Sequence, residues 1–165
     1  MEITLEPVTA ENAAGLWEML YLAIYIPPGV QPPGREIVRE PGLAHYVEGW
    51  GRAGDLGFYA MQAEQPVGAA WLRLWSEGDR GYGWVDDRTS ELTLAVLPGL
   101  RGQGIGSRLL EHLLAAARSR YAAASLSVTA ANPALRLYQR AGFRRVGGDE
   151  ITWTMLIDLN ERGNA

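Results

Sequence analysis

A chain of 165 residues with 47% hydrophobic and 21% charged residues has the makeup of one globular core and is short for two independent ones. Its formal net charge of -4 argues against the basic surface that sequence-independent nucleic-acid binding requires. With no lysine and no cysteine, lysine catalysis, disulfides, thiolate metal sites and a covalent acyl-cysteine route are excluded.

The expected organisation is a single domain over residues 1–165, cytoplasmic by default, because the N-terminus carries neither a basic region nor an apolar run and no segment reaches membrane-spanning length. A strand is predicted at residues 3–7. Thr9 then caps a helix whose Leu16, Trp17, Leu20, Tyr21 and Ile24 fall at helical spacing and which stops before Pro27 and Pro28. A proline- and glycine-rich loop leads to a weaker helical pattern that includes Leu43, Tyr46, Val47 and Trp50. Residues 57–75 read as a hairpin turning at 64–66, the charged and glycine-rich stretch 77–90 as a loop, and residues 91–97 as a third strand.

A helix is predicted from about residue 104 to 120, a strand at 124–129, and a short helix at 133–141 with Pro133 in its first turn. Two closing strands flank a turn at 147–150. The order β α α β β β α β α β β predicts an α/β (α+β) fold, a mixed sheet with helices on its faces.

Chemistry concentrates where residues 91–97 run into PGLRGQGIGSRLL. Gly102, Gly104 and Gly106 lie between a buried strand and the first turn of an amphipathic helix. Free N–H groups and the positive end of the helix dipole at that turn suit a pyrophosphate, and glycines let it approach the backbone. A P-loop would need a lysine, and the dinucleotide fingerprint would need Gly or Ala at Ser107.

The segment resembles the acyl-CoA loop of GNAT N-acetyltransferases, here Arg101, Gly104 and Gly106. Asn132, Leu137-Tyr138 and Ala141-Gly142-Phe143 are similar to that family's second segment. The resemblance implies a mixed, mostly antiparallel sheet of six to seven strands with about four helices. Residues 91–159 would form the acyl-CoA-binding and catalytic half, and residues 1–90 the acceptor side. It implies acetyl-CoA as cofactor and direct acetyl transfer to a primary amine of a small molecule or peptide. A catalytically silent acyl-CoA binding or sensing module stands as the alternative.

By that resemblance the backbone of Gly102, Gln103, Gly104, Ile105, Gly106 and Ser107 would hold the pyrophosphate, with Arg101 near it. Leu94, Ala95 and Val96 would pair with the pantetheine arm as an added strand does, and Asn132 would touch the same arm, although Ala131 stands at the commoner family spacing from Tyr138. Tyr138 would be the general acid. Glu91 would be the base that the amine requires, with Asp86, Asp87 and Glu150 as rivals. Tyr21, Tyr25 and Trp50 would shape an apolar or cation-accepting acceptor pocket. His45 and His112 have no metal-ligand spacing, so no metal is implied. No nucleic-acid or membrane partner is expected, and the protein would be a monomer or homodimer.

Overall fold

The computed structural model describes residues 2–76 and 78–160. In chain order come β1 (Thr4–Pro7), α1 (Leu16–Ala23), α2 (Pro41–Ala44), β2 (Leu56–Gln62), β3 (Gln65–Arg73), β4 (Ser90–Val96), α3 (Ile105–Ala117), β5 (Ala123–Thr129), α4 (Ala134–Ala141), β6 (Arg144–Gly148) and β7 (Thr152–Asp158), with short 3-10 turns between. The seven strands form one sheet in the order β1-β2-β3-β4-β5-β7-β6. Every neighbouring pair is antiparallel except β4 with β5. The predicted element order and the predicted fold class hold.

β3 shows why the sheet has two covered faces. From Val67 onward every residue of it is buried, so its side chains feed two cores alternately. Ala70 and Leu72 enter an aliphatic core with Leu92, Leu109, Leu113, Leu126 and Met155 beneath α3. Ala69 and Trp71 enter an aromatic core with Leu16, Tyr46, Tyr59 and Trp75 beneath α1. α3 earns its place through Ile105, Leu109, Leu110, Leu113, Leu114 and Ala117, the buried stripe of an amphipathic helix.

Three local expectations are corrected. Thr9 does not cap α1 directly: its N–H donates to Asn12 Oδ1 at 2.7 Å and its hydroxyl accepts from Asn12 N at 3.3 Å, closing a turn and a 3-10 segment before α1 begins at Leu16. The second helix stops at Ala44 rather than continuing to Trp50. Side chains of β3 take the carbonyls that would carry it on: Arg73 binds those of His45 and Glu48, and Trp71 Nε1 binds that of Tyr46. The hairpin tip is Ala63-Glu64, both with positive φ (51° and 66°), as a tight two-residue connection demands. Pro66 already belongs to β3, near the strand's start and beside a register shift where a missing N–H is tolerated.

The decisive feature is the β4–β5 pair. These parallel strands are in register only at Ser90↔Ala124 and Glu91↔Ser125. Beyond Glu91 they diverge, leaving one edge of β4 unpaired and opening a passage from one face of the sheet to the other. Among the described residues no helix is long and apolar enough to cross a membrane.

Candidate active site

The split between β4 and β5 widens into a cleft of about 1080 Å³. Its walls are Leu92 to Val96 of β4, Leu126 to Thr129 of β5, the loop into α3, the start and inner side of α4, and the end of α1 with the chain that follows it. Three regions of the cleft differ in chemistry.

At the α3 end, Gly104 caps the helix with φ +86°, without a side-chain cap, and Gly102 has φ +75°. Both lie in the left-handed region that favours glycine, and a Cβ on either would meet nothing within 4 Å. The glycines are therefore required by the backbone, and the space before the first-turn amides stays open, the form of a phosphate cradle. Gly102, Gly104, Ile105, Gly106 and Ser107 line the cleft; Gln103 is exposed beside it. Arg101 also lines the cleft, but its guanidinium is committed to protein carbonyls, Nε to Val96 O at 3.1 Å and Nη2 to Leu22 O at 3.3 Å. These bonds brace the loop against β4 and α1.

In the middle, Leu94, Ala95 and Val96 present the unpaired edge of β4 and Asn132 faces it across the gap. Asn132 Oδ1 caps α4 by accepting from Ala134 N at 2.9 Å. Tyr138 is buried on α4, edge-on to Phe143 with ring centroids 6.0 Å apart. Burial pushes its phenol up from the ordinary tyrosine value, and among the described residues its hydroxyl has no protein hydrogen-bond partner. Arg136 and Arg140, also on α4, reach the cleft; the sequence reading had not singled them out.

At the far end stands Glu91, 3% exposed. Its carboxylate accepts from Tyr46 Oη at 2.7 Å and from Trp75 Nε1 at 2.8 Å, and Tyr46 Oη in turn accepts from Tyr82 N at 2.8 Å. Burial raises the Glu91 carboxyl above the usual carboxylate range, with these two donors opposing the rise. The loop carrying Tyr82 covers it closely: a Cβ at Gly81 would run into Glu91 Oε1, and Ser125 Oγ holds Gly83 O at 2.7 Å.

Arg73 is the cross-strand partner of Glu91, a position from which an arginine would normally neutralise it. Its guanidinium goes elsewhere, forking onto Asp55 at 3.0 and 2.9 Å. Glu91 therefore has no arginine on its carboxyl, which is held by the two neutral donors instead.

Of the other expected residues, Tyr21 and Tyr25 line the cleft and Trp50 does not. Trp50 lies by Arg73, 5.5 Å from its guanidinium to the ring centre, because the chain turns after Ala44 instead of continuing as helix. Tyr21 already holds a cation, the Arg35 guanidinium 4.7 Å from its ring centre, and donates to Pro33 O at 2.6 Å. Tyr25 Oη reaches Ala131 O at 3.4 Å across the cleft. Asp86, Asp87 and Glu150 are not among the lining residues; Asp86 accepts from Arg88 N, which lowers its carboxyl. His45 Nδ1 pairs with Asp79 at 2.7 Å, and His112 packs edge-on to Phe58. No group of three or more metal-ligating side chains occurs among the described residues.

Comparison with known proteins agrees with this geometry. The model of the Acetyltransferase (GNAT) family matches residues 21–143. The ribosomal-protein-alanine N-acetyltransferase of Brucella melitensis is similar in structure, with a TM-score of 0.66 and 23% identity over 94% of this chain and 99% of that one. The yncA protein of Salmonella typhimurium, solved with its cofactor acetyl-CoA, gives 0.68 and 20% over 100% and 98%. The PaiA N-acetyltransferase of Thermoplasma acidophilum, in complex with coenzyme A, gives 0.68 and 17% over 96% and 99%. No curated protein matches the sequence. Since the family match spans most of the chain and the cleft carries an open phosphate cradle and an unpaired strand edge, this protein belongs to the GNAT family and is an acetyl-CoA-dependent acyltransferase.

Proposed function

We propose that the protein acetylates a primary amine by direct transfer, with Glu91 as general base and Tyr138 as general acid. The observation that carries the proposal is that the β4–β5 split joins two faces of different character: Glu91 lies on the aromatic face and Tyr138 on the aliphatic one, and both line the same cleft. An amine arriving from the α1 side meets a base. A leaving sulfur on the α4 side meets an acid.

Acetyl-CoA, when bound, supplies the acetyl group as a thioester. The α3 amides from Ile105 to Ser107, with Gly102 and Gly104, are suited to its pyrophosphate, and the free β4 edge at Leu94, Ala95 and Val96 to its pantetheine amides. Glu91, raised by burial, is strong enough as a carboxylate to accept the ammonium proton at Oε, directly or through one water, while Tyr46 and Trp75 hold it in place. Tyr138, raised by burial and without a hydrogen-bond partner among the described residues, keeps its proton at Oη for the departing sulfur. In this reading residues 91–159 form the acyl-CoA half of one domain and the earlier half supplies most of the acceptor wall.

Release of free CoA in the presence of acetyl-CoA and amine tests the proposal. Tyr138→Phe is expected to lower kcat by roughly ten- to a thousandfold while acetyl-CoA affinity, measured by calorimetry, stays within about twofold. Equal kcat in the variant sinks the acid assignment, and tight acetyl-CoA binding with no turnover on any amine points to a silent acyl-CoA-binding module.

A further inference from the structure

We infer that the acceptor is a small monoamine with an apolar, uncharged body, and that a second cation or a carboxylate on the acceptor is selected against; the inference rests on the acetyltransfer reading above. Among the described residues, the charged side chains lining the cleft are Glu91, Arg101, Arg136 and Arg140. The arginines come from the loop before α3 and from α4, and none from the segments that gather on Glu91. Among the described residues Glu91 is therefore the one charge lining the acceptor end.

Around Glu91 the wall consists of Leu20, Ile24, Pro32 and Leu43 with the rings of Tyr46 and Tyr82. Three of the phenols lining the cleft are engaged, and the other polar side chains on this side, Thr93 and the Tyr82 hydroxyl, are uncharged. Tyr46 donates to Glu91, Tyr21 to Pro33 O and Tyr25 to Ala131 O. Arg35, above the Tyr21 ring, is paired with Glu18 outside the lining. One ammonium thus finds one carboxylate, and the remainder of the acceptor meets hydrocarbon, aromatic faces and uncharged hydroxyls.

Among the described residues lining this wall a second ammonium finds no counter-charge, and an amino-acid carboxylate would sit beside Glu91 without a lining cation to pair it. Leaving such a charge desolvated and unpaired is selected against by at least about tenfold in kcat/KM. The Tyr25–Ala131 bond spans both sides of the cleft, which favours a compact acceptor over an extended peptide.

Matched acceptors test this with the full chain, saturating acetyl-CoA and CoA release as readout. The pairs are 2-phenylethylamine against phenylalanine, pentylamine against cadaverine, and 2-phenylethylamine against a short peptide amide with N-terminal phenylalanine. The monoamine is expected to lead in kcat/KM by at least about tenfold in each pair. Tyr82, 68% exposed, can be changed with little risk to folding, and Tyr82→Glu is expected to shift the cadaverine-to-pentylamine ratio toward cadaverine by about fivefold or more. A charged partner or the peptide matching its monoamine, or an unmoved ratio in the variant, overturns the inference while acetyltransfer stands. Silence with every amine, when acetyl-CoA still raises the melting temperature, overturns the acetyltransfer reading and this inference together.

Discussion

The two faces of the sheet are packed with different material. Under α3 the core is aliphatic, with Leu109, Leu110, Leu113, Leu126 and Met155 fully or nearly buried and no buried charge among them. Under α1 the core is aromatic and holds Arg73 and Glu91 in its midst, at 0% and 3% exposure. The first face stabilises by burying hydrocarbon, which needs volume and shape but little orientation. The second needs hydrogen bonds of fixed direction, since each buried polar group without a partner is expensive. The polar face is therefore where a carboxylate of altered basicity can be built, and the aliphatic face is what makes that tolerable.

If that contrast is right, substitutions on the two faces separate activity from stability. Glu91→Gln is expected to lower kcat/KM by roughly 10² to 10⁴, about 3–5 kcal/mol of transition-state stabilisation. The sign of the pH effect follows from burial. A raised carboxyl is protonated and idle at low pH, so Glu91 contributes to activity only as pH rises above its raised value. That contribution to the acid limb should lie above about 4.3, the ordinary glutamate value, and should vanish in Glu91→Gln when kcat/KM is followed against pH.

Arg73→Met leaves Asp55 buried without its cation and frees the carbonyls of His45 and Glu48. A loss of about 3–5 kcal/mol in urea unfolding is expected, together with lowered kcat, because the turn that holds Tyr46 against Glu91 loosens. Adding Asp55→Leu should restore much of the stability but little of the activity. On the other face, Leu109→Ala should cost about 3 kcal/mol through its cavity and leave kcat at permissive temperature within about twofold. Large loss of kcat in folded Leu109→Ala would erase the distinction between the faces. The smallest effect is expected from Gly104→Ala, about 1–2 kcal/mol of left-handed strain, seen as a lower melting temperature and a raised KM for acetyl-CoA.

The part of the site that was legible in the sequence is the part built from neighbours in the chain. The loop from Arg101 to Ser107 and the Asn132-to-Phe143 segment announce themselves because glycine conformation, helix start and ring placement are local properties, and each segment keeps its chemistry within about a dozen residues. Glu91, at the start of the strand feeding that loop, lines the same cleft. The reading failed where the tertiary contacts of β3 override local preference. The helical pattern running to Trp50 is cut short by Arg73 and Trp71.

Composition and local pattern by themselves determined the order of strands and helices and the glycine loop that opens α3, because periodicity and turn chemistry act over a few residues. Only the tertiary structure decided that Tyr46, Trp75 and Tyr82 gather on Glu91, and that Arg73, though opposite Glu91, turns to Asp55. The physical reason is that the basicity of Glu91 depends on burial and on partners that the β3–β4 register and the turn after α2 bring from distant positions. No stretch of the chain read alone carries that information.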